Sequence, residues 1–84
     1  MQVGTQFNGT VPAGSTSRWY TFDWPQTSHV VWYVVPTTPQ AGAPQIEWDV
    51  EVERASDVNI TYWIIVRNLT ASDVNVEARY AILD

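Results

Sequence analysis

The sequence has no cysteine among its 84 residues and only one histidine. Disulfide bonds and thiolate metal sites are therefore excluded, and a zinc site or other cofactor is not expected. Only four basic residues accompany nine acidic ones, which gives a formal net charge of -5. Nucleic acids and anionic membrane surfaces require Lys and Arg to meet their phosphates, so we expect neither as a partner. No apolar run approaches the ~20 residues that a membrane helix needs.

The residues that are abundant are those of β-sheets. No segment has helical periodicity, and the chain is rich in Val, Ile, Thr and aromatic residues. The length fits one domain, residues 1–84. We therefore predict an all-β fold, a small antiparallel β-sandwich or flattened barrel of about six strands. The predicted strands are residues 3–7, 18–24, 29–35, 45–54, 58–68 and 74–83.

Turn signals divide these strands. Asn8-Gly9 is expected to end the first strand, and Pro25 to end the second. The pentapeptide Ala-Ser-Asp-Val-Asn occurs twice, at residues 55–59 and 71–75. Each copy leads into a strand, which predicts a repeated hairpin and hence a C-terminal three-strand meander.

Side chains alternate between the two faces of a strand, so the apolar positions predict the core. The predicted core residues are Tyr20, Phe22, Trp24, Trp48, Val50, Ile60, Tyr62, Ile64, Val76, Tyr80 and Ile82. Of the three tryptophans outside this set, Trp32 lies in a strand that is apolar on both faces, so alternation does not assign it to one. The other two do not fit the set. Trp19 alternates with the predicted core, and Trp63 shares its face with Asn59, Thr61 and Arg67. Both are therefore expected to point outwards.

Strand register suggests what surrounds Trp63. Pairing Val50 with Tyr62 matches apolar residues with apolar residues and places Asp49 opposite Trp63. The meander would place Arg79 on the other side of Trp63. A shift of two residues would preserve the faces. The prediction is a row of Asp49, Trp63 and Arg79 on the outer face.

This row has three interpretations. An indole flanked by a carboxylate and a guanidinium is a plausible sugar site, because a sugar ring stacks on indole and its hydroxyls bond to Asp49 and Arg79. Glu47 and Glu77 would orient these partners, and Trp19 is a further ligand-binding candidate. Alternatively, Arg79 stacks on Trp63 by a cation–π attraction and the carboxylates only balance charge. The same aromatic residues could instead form a homo-oligomer interface.

No catalytic group is predicted. The acidic stripe at residues 47, 49, 51 and 53 lies along a straight strand, which offers neither convergent calcium ligands nor a carboxylate pair across a cleft. A solvated face that protects a sheet edge explains the stripe. Ser28 and His29 are adjacent on a predicted strand, so they point to opposite faces and cannot form a catalytic triad. We therefore do not expect an enzyme.

Residues 9–22 form a strand end, a Pro-Ala-Gly turn and an aromatic strand. This segment resembles the opening of small bacterial β-sandwich accessory modules, of the pre-peptidase C-terminal type and of some carbohydrate-binding modules. The resemblance implies a sandwich fold and a non-catalytic role, and it transfers no site residues.

Together these patterns predict a non-catalytic module that binds a glycan or another small polar ligand, acting as a homo-oligomer that gains avidity from repeated weak sites. The alternative is a structural self-assembly module with the same tryptophans buried between subunits. Residues 1–4 lack the basic and apolar regions of a signal peptide. Localisation stays open, with a secreted or extracellular protein favoured.

Overall fold

The chain folds as two antiparallel β-sheets. We describe it from a computed structural model that covers residues 1–84, in which all seven strands are antiparallel and no helix occurs. There is accordingly no helix of the length and apolarity needed to cross a membrane. The predicted all-β class is confirmed, as two separate sheets of a small sandwich-like fold rather than a closed barrel. The strands are β1 (Gln2–Val11), β2 (Thr16–Tyr20), β3 (Trp24–Pro25), β4 (Val30–Pro36), β5 (Ile46–Arg54), β6 (Asn59–Asn68) and β7 (Val74–Ile82).

The two sheets have different central strands. In the first sheet β7 lies between β1 and β4. In the second sheet β6 is central, with β2 and β3 on one side and β5 on the other. The seventh strand arises because the segment predicted as one strand over residues 18–24 is divided into β2 and β3. Pro25 lies within β3 at a sheet edge, where its missing N–H removes no ladder bond.

The predicted C-terminal meander is wrong, because β6 and β7 belong to different sheets. Residues 55–59 do form a hairpin turn, in which the Ser56 hydroxyl accepts the N–H groups of Val58 and Asn59. The second copy of the pentapeptide instead crosses from one sheet to the other. The same five residues therefore serve two connections, and what precedes them decides which one forms.

Asn68 is the residue that sets the crossover. It is 2% exposed, and its Nδ2 donates to the carbonyl oxygens of Val11, Pro12 and Ser72. Its Oδ1 accepts both the N–H and the hydroxyl of Thr70. One buried amide thus joins the end of β6, the β1–β2 turn and the β6–β7 connection. Asn68 also begins an Asn-x-Thr sequon, but its Nδ2 is fully engaged in the folded protein.

The first strand runs through the predicted turn at Asn8-Gly9 and ends only at Val11. A β-bulge lies between Thr5 and Phe7 and shifts the register against β7. Beyond the bulge Phe7 and Gly9 face the interior, where the Trp19 ring packs against both. A Cβ on Gly9 would lie 2.7 Å from Trp19 Cζ2, so the glycine provides room for the indole rather than a turn.

The core lies between β6, β7, β4 and the end of β1. Its buried cluster consists of Val11, Trp32, Val34, Ile64, Val66, Val74, Val76 and Ala78. Of the predicted core, Ile60, Ile64 and Val76 are buried. Partly buried members that pack on the cluster are Trp24, Val50, Tyr62 and Tyr80. Ile82 is half-buried, whereas the predictions for Tyr20, Phe22 and Trp48 are wrong because all three are exposed.

An aromatic cluster closes one end of the sandwich. The rings of Trp24, Trp32, Tyr62 and Tyr80 meet at centroid distances of 5.0–6.4 Å, mostly edge to face. Such geometries contribute roughly 0.5–1.5 kcal/mol per pair beyond area burial. Burial raises the pKa of the Tyr62 hydroxyl. These aromatics stabilise the fold and leave Trp63, on the opposite face of β6, as the tryptophan to be explained.

Candidate functional site

The predicted row of Asp49, Trp63 and Arg79 does not form. Arg79 lies on β7 in the other sheet, where its guanidinium contacts Glu77 and lies 5.9 Å from the Tyr33 ring centroid. The hydrogen bond to Glu77 raises the pKa of Arg79. Arg79 and Glu77 are therefore removed from the Trp63 site, because β6 and β7 never pair.

The acidic side chains of β5 lie on the predicted outer face, but the pairing of β5 with β6 is shifted. Val50 pairs with Ile64 rather than with Tyr62, a shift of two residues. Glu51 therefore lies opposite Trp63, and Asp49 lies opposite Ile65. Because a two-residue shift preserves the face, the acidic side chains still point outwards beside Trp63.

Glu47 and Asp49 are displaced from the indole by this shift. Glu47 forms an ion pair with Arg67, its partner across the strands. The Asp49 carboxylate forms neither an ion pair nor a hydrogen bond. Neither residue contributes to the immediate surroundings of Trp63 in the way that the row predicted.

Charged side chains from β2 and β5 surround the Trp63 ring. The Cζ atom of Arg18, from β2, lies 4.6 Å from the ring centroid, and Arg18 Nη2 donates to Glu51 Oε1 over 2.6 Å. Trp63 Nε1 donates to Glu53 Oε1 over 2.9 Å. The predicted chemistry of carboxylate, indole and guanidinium is therefore present, with Arg18 in the place of Arg79 and with Glu51 and Glu53 in the place of Asp49 and Glu77.

Two further aromatic rings continue from Trp63 along the same face. The Tyr20 centroid is 5.1 Å from that of Trp63, and the Phe22 centroid is 6.3 Å from that of Tyr20. Tyr20 is 60% exposed and Phe22 is 68% exposed. We call Trp63, Tyr20 and Phe22 the aromatic strip. It lies on the outer face of the β6 sheet, with carboxylates on its β5 side.

The outward position of Tyr20 and Phe22 follows from Thr21, which is 1% exposed. Its N–H donates to the Tyr62 carbonyl over 2.9 Å, and its hydroxyl accepts the Tyr62 N–H. A small polar residue thus takes the inner position, and the large aromatic neighbours take the outer one. Asp23 then adopts a φ of 63°, which reverses the alternation and returns Trp24 to the core.

Trp19 is not part of the site, and its predicted outward position is wrong. Its ring centroid is 4.9 Å from that of Phe7, and it packs against the buried cluster. The charge of Arg18 indicates which face of this segment points to solvent. It shares a face with Tyr20 and Phe22, and a charged residue marks the solvent side of a two-faced strand.

The remaining titratable features lie elsewhere. His29 Nδ1 is 2.5 Å from Asp84 Oδ1 at the end of the first sheet. This hydrogen bond lowers the pKa of Asp84. No group of three or more His, Asp or Glu side chains converges on a common point, and the surface has no pocket. The aromatic strip is therefore an open surface with hydrogen-bonding groups along one side.

Comparison of the chain with protein-family models, with curated proteins and with solved structures finds no match.

Proposed function

We propose that the protein is a non-catalytic binding module that takes a glycan on the aromatic strip. The observation that carries the proposal is the exposure of Tyr20 and Phe22, at 60% and 68%, on a sheet whose other face forms the core. Folding does not require two large rings in that position. Folding leaves the apolar surface of both rings exposed to water. A ligand that covers the rings removes this surface from water.

The strip suits a sugar better than a purely apolar ligand. A pyranose ring presents an apolar C–H face, and its hydroxyls both donate and accept hydrogen bonds. Arg18 offers donors beside the rings, whereas Glu51 and Glu53 offer acceptors. Because Arg18 already lies over Trp63, Tyr20 and Phe22 provide the free stacking surfaces.

The shape of the surface favours an extended ligand. The strip is open and no pocket encloses it, so a single sugar would have most of its surface left in water. A chain of several residues would stack on Tyr20 and Phe22 in succession and extend past the charged groups beside Trp63. Weak single contacts then add up along one ligand, and association of several copies would increase avidity further.

A glycan-array screen of the wild-type protein tests the proposal. We expect binding to extended glycans, with a loss of about tenfold in affinity for Tyr20→Ala or Phe22→Ala, as expected for one aromatic contact. Arg67→Ala provides a matched control on the same face, because Arg67 pairs with Glu47 away from the strip. A screen in which the folded wild-type protein binds no glycan would overturn the proposal.

The second candidate is self-assembly through the same strip. It is favoured by the continuity of the three rings, because contiguous exposed apolar surface often marks an interface between proteins. Sedimentation of the wild type and of Phe22→Ala separates the two functions. A wild-type oligomer that dissociates in the variant would support assembly, and a wild-type monomer would exclude it.

A further inference from the structure

The sandwich has four open sheet edges, and three of them carry an interruption. The β1 edge has a bulge between Thr5 and Phe7. The edge formed by β2 and β3 breaks between Tyr20 and Trp24, and β4 ends in Pro36 after seven residues. Bulges, prolines and short strands are the features by which proteins keep an edge from pairing with another chain. The fourth edge, β5, has none of these three features, and the charge of its acidic stripe is what protects it.

The β5 edge is long and regular. It has nine residues without proline, glycine or a register shift. The hydrogen bonds from Leu69 N to Gln45 O and from Ala55 N to Asn59 O fix which residues point towards β6. By the alternation of an antiparallel ladder, the N–H and C=O groups of Trp48, Val50 and Val52 point away from β6. No strand pairs with them.

The side chains of this edge differ sharply between the two faces. Trp48 is 37% exposed and Val52 is 65% exposed, although both are on the inner face with the core. The three strands of the opposite sheet therefore do not cover them. The outer face of β5 carries four carboxylates, at Glu47, Asp49, Glu51 and Glu53.

These carboxylates decide what can pair with β5. Two copies of β5 arranged antiparallel about Val50 would place Glu47 opposite Glu53, and Asp49 opposite Glu51. Like charges directly opposite one another destabilise a strand pair. A second copy is therefore disfavoured at neutral pH, and the same charges attract a strand with basic residues on its outer face. Asp49 forms no ion pair within the chain and is free to meet one.

We propose that the β5 edge binds an extended peptide that alternates basic and apolar residues, which adds to the sheet as a further strand. Its backbone pairs with the free groups of Trp48, Val50 and Val52. Its apolar side chains continue the inner face beside Trp48 and Val52, and its basic side chains lie beside Asp49. This inference does not depend on glycan binding, because it uses the Asp49 carboxylate and the unpaired backbone groups of β5, which the aromatic strip does not use.

A fluorescein-labelled nine-residue peptide of alternating Lys and Val tests the proposal, with anisotropy measured at low salt and pH 7. We expect saturable binding that weakens as salt is added, because exposed charges are screened. Val52→Pro removes an outward N–H without removing a bond to β6, so we expect about a tenfold loss of affinity. Val52→Thr retains the N–H, so we expect it to bind the peptide more tightly than Val52→Pro does.

Backbone pairing has a second, independent signature. On the wild type, the peptide is expected to slow amide exchange at Trp48, Val50 and Val52, because these N–H groups become hydrogen-bonded. Protection at these three residues supports the proposal. Absence of binding, equal binding by Val52→Pro, or equal binding of a Glu–Val peptide would overturn it.

Discussion

Arg18 stacks on Trp63 from the neighbouring strand, with its Cζ atom 4.6 Å from the ring centroid, while the same guanidinium donates to Glu51. The two residues are 45 positions apart in sequence, and they meet because Arg18 pairs with Ile65 and Tyr20 with Trp63 along the β2–β6 ladder. Arg18 from the same sheet thus covers one side of the Trp63 ring. The surface left for a ligand lies beside it, at Tyr20 and Phe22.

The Arg18–Trp63 contact is expected to contribute modestly to stability. Arg18→Ala should lower the free energy of unfolding by about 0.5–1 kcal/mol, the range for an exposed cation–π pair. Urea denaturation measures the change. Arg67→Ala is the matched control, because Arg67 on β6 pairs with Glu47 on β5 on the same face of the sheet without an aromatic ring. An equal loss in both variants would show that the ring contributes nothing.

Asp23 controls which aromatics are exposed. Its φ of 63° is unfavourable for most side chains and is especially so for β-branched ones. We expect Asp23→Val to destabilise the protein by about 1–2 kcal/mol, and Asp23→Gly or Asp23→Asn to be nearly neutral. Thermal or urea unfolding of the three variants gives the order. A Val variant as stable as the Gly variant would contradict the assigned backbone conformation.

Trp19 is expected to be coupled to Gly9. Gly9→Ala introduces a Cβ only 2.7 Å from Trp19 Cζ2, so it should cost about 1–3 kcal/mol of stability by overpacking. In a Trp19→Leu background the cost should fall, because the smaller side chain leaves room for the methyl group. A double-mutant cycle measures the coupling. Additive effects of the two substitutions would indicate that Trp19 does not pack over Gly9.

The crossover between the sheets is expected to depend on Asn68. Asn68→Ala leaves three carbonyl oxygens and the Thr70 N–H without their partner, so we expect a loss of about 2–4 kcal/mol. Asn8→Ala is the control, since Asn8 begins the same Asn-x-Thr pattern on an exposed part of β1. Comparable stability of the two variants would contradict the role of Asn68.

The sequence predicts the secondary structure well where alternation is regular. Strands β5, β6 and β7 lie within one residue of their predicted bounds, because apolar and polar residues alternate cleanly there. The predicted faces of the segment from Trp19 to Phe22 are the wrong way round, because all three of its large side chains are aromatic and alternation alone does not choose between them. Arg18 on one face and Thr21 on the other resolve the choice once charge and size are weighed.

The sequence predicts which strands pair with one another less well than it predicts where each strand lies. The repeated pentapeptide predicts the same hairpin twice, and nothing within its five residues distinguishes a hairpin from a crossover. The distinction lies in Asn68, whose partners at Val11 and Pro12 are more than fifty residues away in sequence. Arg79 was therefore placed beside Trp63 by a pairing that the crossover prevents. The chemistry around Trp63 was nevertheless anticipated, because a carboxylate and a guanidinium do flank the indole.

The most direct test of the proposed function compares two exposed residues on opposite sheets. Phe22 is 68% exposed on the aromatic strip, and Leu83 is 52% exposed at the end of the other sheet. Calorimetric titration with the glycan that binds best on the array should give about a tenfold weaker affinity for Phe22→Ala, and an unchanged affinity for Leu83→Ala. Equal affinities of wild type and Phe22→Ala, with both folded, would contradict a glycan site on the aromatic strip.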